Sequence, residues 1–284
     1  MHLAPLAEIQ SLISFTGQRY EIIIDANQAV ASYWLRIGGG GGQCDGPLEK
    51  NETQAAIFAY AGAPWGNPTS TSYATPKVGC VEESSLVPAF AIDAVPPANP
   101  PTVLDLTMDT SKGVSWRVNG KAMLIDWTKP TLSYILNGTY TLPETDNGIT
   151  ISGANNWYYW LIQNHTPLPH PIHLHGHDFV VLAEGAGSGV GASLSLQNPL
   201  RRDTHTVAAG GYMVIGFISD NPGVWLLHCH IPFHVAGGLG VQFVERPSEI
   251  VGSLGDLSRI SNECNAWNAY TSVLPGFKQW DSGL

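Results

Sequence analysis

The sequence predicts an all-β protein, an antiparallel β-sandwich with Greek-key connections and a short helical extension at its end. Short segments rich in β-branched and aromatic residues recur along the chain. Glycine, proline and asparagine turns separate these segments. Only after Pro247 do apolar residues recur at steps of three and four, the spacing of one helical face.

The predicted strands fall into two series, separated by a proline-rich segment at residues 84–102 that is typical of an interdomain linker. We therefore divide the chain into one domain at residues 1–90, a second at 91–250 and an extension at 251–284. The predicted strands are 20–24, 30–37, 55–60, 103–108, 115–118, 149–151, 157–163, 179–183, 212–219, 224–229 and 239–245. The predicted helical face consists of Leu254, Leu257, Ile260, Cys264, Trp267 and Tyr270.

Composition excludes several kinds of partner. The 284-residue chain has a net charge of −10 and no basic patch, so we expect neither nucleic acid nor an anionic membrane to bind it. No apolar run approaches the length of a membrane span. The opening residues, MHLAP, lack the cationic and apolar regions of a signal peptide, which by itself favours a cytosolic protein.

Two short histidine-rich motifs are the main functional signal. HPIHLHGH occupies residues 170–177 and HCHIPFH residues 228–234, and together they hold seven of the ten histidines. Imidazole with a soft thiolate favours copper and can also hold zinc. If HCH lies on a strand, Cys229 points to one face and its two neighbouring histidines to the other, so one segment would serve two metal centres. The paired CxxC or CxxH knuckles of structural zinc sites do not occur.

At these motifs the chain resembles the multicopper oxidases, and most closely the laccases of ascomycete fungi. The resemblance extends from GQRYEIIIDA near the start to DSGL at the end. It implies a cupredoxin-like sandwich, preceded by a partial cupredoxin domain. It also implies copper ligands, namely His170, Cys229 and His234 for the type 1 copper, His173 for the type 2 copper, and His175, His228 and His230 for the type 3 pair.

The resemblance assigns roles to further residues. Leu239 takes the axial position of the type 1 copper; because leucine offers no donor atom, we expect a higher reduction potential. Phe233 and Leu168 would line the edge of that site where the substrate binds. The last four residues, Asp281, Ser282, Gly283 and Leu284, match the tail that plugs the solvent channel in ascomycete laccases. His177 is expected to hydrogen-bond beside the ligands rather than bind metal.

Other features suit a secreted glycoprotein, as the resemblance implies. Sequons begin at Asn51, Asn137 and Asn164, the last so near the histidine motif that we expect it to be inaccessible. The family carries a disulfide near Cys44 and Cys80. In laccases the cysteine corresponding to Cys264 bonds to the amino-terminal domain.

The resemblance predicts a laccase, which oxidises small phenolic substrates and reduces O2 to water. In that family an amino-terminal domain supplies four further histidines, whereas this sequence has only His2 before His165. We therefore expect the chain to be a carboxy-terminal portion that is inactive when isolated, with the missing domain supplied in cis or in trans. The alternative is a catalytically incomplete module that binds copper or transfers electrons.

Overall fold

The computed structural model describes residues 12–37, 54–69, 86–274, 276 and 278–280. These residues belong to two compact units. The smaller unit includes the described residues 12–14, 19–37 and 54–69, and the larger includes 15–18 and those from 86 onward. Among the described residues, no helix combines the length and apolar character that a bilayer crossing needs.

The described residues of the smaller unit contain one antiparallel pair of strands, β1 (Ser32–Ile37) and β2 (Gln54–Ala59). The strands predicted at 30–37 and 55–60 are therefore confirmed, with small shifts at their ends. The strand predicted at 20–24 is wrong, because the described structure has no strand there. Its apolar side chains are exposed, Ile23 by 96%, and no described strand pairs with this segment.

The larger unit is a sandwich of two sheets, which confirms the all-β, cupredoxin-like class. One sheet has the order β10 (Thr204–Val207), β7 (His170–Leu174), β12 (Gly223–Cys229), β13 (Gly240–Glu245) and β5 (Gly148–Ile151). The other has the order β4 (Ser115–Val118), β3 (Thr102–Asp109), β6 (Trp157–Asn164), β11 (Gly211–Ile218), β8 (Phe179–Ala186) and β9 (Leu200–Arg202).

All the strands predicted after residue 102 are present, while β7, β9 and β10 were not predicted. The sheets are mixed rather than wholly antiparallel, since β3 pairs with β6 and β5 with β13 in parallel. Side chains from both sheets form one core, with Trp160, Phe217 and Phe243 in contact at its centre. Cys229 belongs to this core and is fully buried.

The described part of the larger unit also contains four helices. They are α1 (Thr131–Leu136), α2 (Pro232–Ala236), α3 (Pro247–Ser253) and α4 (Ser258–Ser272), with a 3-10 turn at Glu144–Asp146. The helical extension predicted after Pro247 is thus present. One residue of its predicted face is misplaced, because Tyr270 is exposed whereas Thr271 is half-buried.

The described part of the proline-rich segment is bound to the larger unit. Ala94 donates its backbone N–H to the carbonyl of Leu196, at 2.8 Å. Asp93 accepts a hydrogen bond from the backbone of Asn198, at 2.9 Å. The described part of the segment is therefore held against the sandwich at Asp93 and Ala94.

Candidate metal centre

The two histidine motifs meet because their strands are neighbours. β7 lies between β10 and β12, and its register sets His173 opposite His228 and Ile172 opposite Cys229. Successive side chains of a strand point to opposite faces. Cys229 consequently enters the core, while the side chains of His228 and His230 lie together beside β7.

On the core side, three donor atoms form a compact triangle. His170 Nδ1 lies 3.1 Å from His234 Nδ1, and Cys229 Sγ lies 3.6 Å and 3.5 Å from these two nitrogens. A point equidistant from the three atoms is then about 2.0 Å from each, close to the bond lengths that nitrogen and sulfur ligands make to a transition metal. Two imidazoles and one thiolate in a trigonal arrangement are the ligand set of blue copper.

Burial leaves these histidines neutral at ordinary pH. It lowers the pKa of His170 to about 3, helped by the neighbouring His234, and lowers the pKa of His234 to about 4. Burial also raises the pKa of the Cys229 thiol to about 12. The nitrogens are therefore ready to bind a cation. The thiol, by contrast, would lose its proton to solvent only when a metal binds the sulfur, since a coordinating thiol is deprotonated.

Buried neighbours hold the triangle in place. The ring of Trp116 lies 4.0 Å from that of His234 and meets His170 edge-on at 5.1 Å. Leu239 is buried, accepts a hydrogen bond from the Cys229 backbone at 3.1 Å and donates one to the His234 carbonyl at 3.0 Å. Nothing in the sequence around Trp116 pointed to this contact, because it joins segments that are far apart in the chain.

On the opposite face, four histidines form a second group. Its members are His173, His175, His228 and His230. Neighbouring rings are 4.8 to 5.7 Å apart, and His175 Nε2 lies 3.0 Å from His228 Nε2. His175 is exposed and the other three are half-buried, so this group has an open side.

In two of these rings, a hydrogen bond to a backbone carbonyl determines which ring nitrogen is free to bind a metal. His173 Nδ1 lies 2.7 Å from the carbonyl oxygen of Asp203, and His228 Nδ1 lies 2.8 Å from that of Cys229. A carbonyl only accepts, so each Nδ1 carries the proton and each Nε2 keeps its lone pair. A carbonyl or carboxylate partner of this kind is the usual support of a metal-binding histidine.

A turn at residues 15–18 packs against the second group. Gly17 lies so close that an added Cβ would come within 2.4 Å of the His230 ring. Gln18 donates a side-chain hydrogen bond to the carbonyl of Thr204, the residue opposite His173 in the sheet. No local sequence pattern predicts this contact.

The other predicted site residues lie in different surroundings. Phe233 is 82% exposed beside His234, and Leu168 is 44% exposed. His177 is nearly buried, and its Nε2 lies 2.9 Å from Oε2 of the fully buried Glu245. Its Nδ1 lies 3.3 Å from the carbonyl oxygen of His175. Cys264 is a free, half-buried thiol in α4. The predicted plug (Asp281, Ser282, Gly283, Leu284), the Cys44–Cys80 pair and the Asn51 sequon lie outside the described residues.

Sequence and structure comparisons place this geometry in a known family. A multicopper oxidase family model matches residues 96–249, more than half of the chain, and a second multicopper oxidase model matches residues 7–63. The chain therefore belongs to the multicopper oxidases, whose cofactor is copper, and the donor set described above fits that metal.

Within the family the chain is similar to laccases of ascomycete fungi. It is 40% identical to a laccase of Neurospora crassa, over 98% of this chain and 48% of that protein. It is 38% identical to Laccase-2 of Podospora anserina, over 97% of this chain and 48% of that protein. The crystal structure of the laccase from Botrytis aclada superposes with a TM-score of 0.78 at 33% identity, covering 92% of this chain and 48% of that one. The chain thus spans about half the length of the relatives that it matches.

Proposed function

We propose that this chain carries the substrate-oxidising copper site of a laccase-type oxidase, together with four histidines of its oxygen-reducing centre. His170, Cys229 and His234 would bind the type 1 copper. His173 would bind the type 2 copper, and His175, His228 and His230 the type 3 pair. When bound, copper supplies the one-electron chemistry that couples oxidation of a phenol to reduction of O2.

The observation that carries the proposal is the position of Cys229 between two histidines. Its Sγ belongs to the first group, while His228 and His230 on either side belong to the second. The two groups are therefore joined through a few covalent bonds of one segment. A protein that only stored copper would have no need for that connection.

The exposed edge of the first group suits an aromatic substrate. His234 is half-buried whereas His170 is fully buried, so His234 is the ligand nearer to solvent. The exposed rings and methyl groups of Phe233 and Leu168 would pack against a phenol there. The chain's own contribution is to bind the ring beside His234 and to keep water from the buried Cys229.

The open side of the second group is where further ligands would enter. We propose that an amino-terminal portion supplies four more histidines, in cis or in trans, and that Cys264 bonds to it. Location outside the cell, glycosylation at the exposed Asn137 and a plug formed by residues 281–284 belong to the same proposal. The comparisons favour this function over the alternative of an incomplete copper-binding module.

Copper loading tests the first site. The thiolate of Cys229 bound to copper should give intense visible absorption in the full chain. Cys229→Ser should abolish the colour, whereas His165→Ala, a change at an exposed histidine outside both groups, should retain it. Colour that survives Cys229→Ser would refute the assignment.

Oxygen uptake tests the coupling of the two groups. With a phenolic substrate, we expect no steady oxygen consumption by the copper-loaded chain alone, and measurable consumption after the amino-terminal half of a relative is added. His173→Ala should remove that activity while keeping the blue absorption. Sustained uptake by the chain alone, lost on His173→Ala, would show that other ligands complete the centre.

A further inference from the structure

Asn164, the first residue of a sequon, is buried and fully hydrogen-bonded. It is 1% exposed, and its side-chain Nδ2 donates to the carbonyls of Leu168 and Ala208, each at 2.8 Å. Because carbonyls only accept, both partners require the NH2 group on that side. The side-chain oxygen must therefore face the other way, toward Thr166.

Thr166 connects this oxygen to the first metal group. Its hydroxyl lies 2.8 Å from Asn164 Oδ1, 3.1 Å from the carbonyl of Leu168 and 2.8 Å from His170 Nε2. Both oxygens can only accept, so a hydroxyl proton given to His170 would leave two close oxygen–oxygen contacts with no proton between them. The hydroxyl therefore donates to one of the two oxygens. His170 Nε2 is the one of these three neighbours that can carry a proton of its own, and it donates to the hydroxyl.

We propose that Asn164 and Thr166 are positioning residues that hold His170 as the Nε2–H tautomer, with the lone pair of Nδ1 facing Cys229 and His234. The inference rests on the copper site proposed above and extends it to two residues that are not ligands. The Asn-x-Thr pattern here serves the metal site, because an asparagine with both amide protons bonded inside the fold is closed to glycosylation.

Removing the hydroxyl should release this constraint. His170 is fully buried, so removal of the Thr166 hydroxyl leaves its Nε2–H without an acceptor. Burying an unpaired donor costs free energy. The Nδ1–H tautomer then competes, and it presents a proton where copper must bind. Loss of such an outer partner commonly costs about tenfold or more in metal affinity.

The test compares Thr166→Val with Thr166→Ser in the full 284-residue chain. Correlation spectra of ¹⁵N-histidine-labelled, metal-free protein report which ring nitrogen of His170 is protonated. Competition with a chromophoric chelator reports the affinity for cuprous ion. We expect Nε2–H in the parent and in Thr166→Ser. Thr166→Val should show a mixed or Nδ1–H pattern and about tenfold or more weaker binding. Thr102→Val, the same change at an exposed position of β3, should match the parent.

An Nδ1–H tautomer in the parent chain overturns the proposal, and this result needs no variant to fold. The proposal is also overturned if Thr166→Val leaves both the His170 tautomer and the affinity for cuprous ion unchanged. If the parent shows Nε2–H and Thr166→Val shifts it, but neither binds cuprous ion, the copper site is refuted while the positioning of His170 stands.

Discussion

The two histidine groups share one strand end but are held in different ways. The first places two nitrogens and one sulfur within 3.6 Å of one another inside the core. The second spreads four half-buried or exposed rings around an open side. Folding of this sandwich is enough to bring the three donor atoms of the first group together. The open group, by contrast, depends on what covers it.

The difference lies in the surroundings of each group. His170 and Cys229 are enclosed by core side chains from both sheets, and Trp116 covers the rings of His170 and His234. The second group is fixed by hydrogen bonds to carbonyls and by the turn at Gly17. Packing thus determines the first site, whereas local hydrogen bonds orient the second.

The largest expected effect is a pH dependence of stability at the first group. His170 has a pKa of about 3 in the fold and about 6.5 when unfolded. Between these two pH values the unfolded chain binds a proton at His170 that the folded chain does not. The stabilising contribution of the neutral ring is therefore fully present above pH 6.5, and the free energy of unfolding falls as the pH is lowered below that value. The loss is about 1.4 kcal/mol per pH unit from this residue.

Denaturant titrations of the metal-free chain between pH 7 and pH 4 measure this loss. His170→Asn should reduce the slope, and His175→Asn, at the exposed position of the second group, should reduce it less. Equal slopes for the parent and His170→Asn would contradict the buried, neutral state of this ring.

The second effect concerns the turn that contacts the second group. Gly17 has a φ of +85°, and Gly17→Ala would also drive a methyl group into the His230 ring. Overpacking of this kind typically costs about 1–3 kcal/mol. We expect a lower denaturation midpoint with unchanged blue absorption, since the first group is not touched.

Gly120→Ala is the matched control, because Gly120 has a φ of +78° and no atom within 4 Å of an added Cβ. Gly120→Ala therefore introduces similar backbone strain but no steric clash with a neighbouring side chain. If the two variants are equally destabilised, the contact with His230 contributes nothing.

Much of this architecture could be predicted from local sequence. The strands after residue 102 are marked by composition and turns, and the alternation in HCH predicts that Cys229 and its neighbours face opposite ways. The strand at 20–24 shows the limit, because residue type cannot reveal whether a neighbouring strand is present to pair with it. β7 was missed as a named strand because Pro171 and the histidines masked its β pattern. His205, in a segment where no strand was predicted, is buried in β10 and lies within hydrogen-bond distance of Glu184.

The site contacts that could not be predicted join distant segments. Trp116 reaches His234, and Gly17 reaches His230, across long stretches of sequence. Their positions depend on the packing of the two sheets, which no local pattern encodes. The ligand roles of the individual histidines stay predictions, testable by the substitutions above.

A third prediction concerns protons released by copper binding at the first group. The pKa of Cys229 is about 12, whereas those of His170 and His234 are about 3 and 4. Between pH 7 and pH 9 only the thiol holds a proton that the metal must displace. We therefore expect about one proton released per copper and about tenfold tighter binding per pH unit. Calorimetric titrations with copper, in buffers of different ionisation enthalpy, measure the number of protons released per copper bound. His173→Ala should not change it, and release of two protons would contradict the neutral state of the histidines.

The smallest expected effect is a shift in potential from Leu239→Met. The two side chains have similar volumes, so the change should cost less than about 1.5 kcal/mol of stability. Hydrogen bonds from the backbone of Leu239 to Cys229 and His234 are independent of its side chain, so the three donors should stay in place. A thioether adds a weak axial donor that stabilises the cupric state, and the potential of the first site should fall. Redox titration of the blue absorption measures the change. Leu182→Met is the matched control, because Leu182 is equally buried but belongs to a separate core cluster. A potential that moves equally in both variants, or in neither, would show that position 239 does not face the metal.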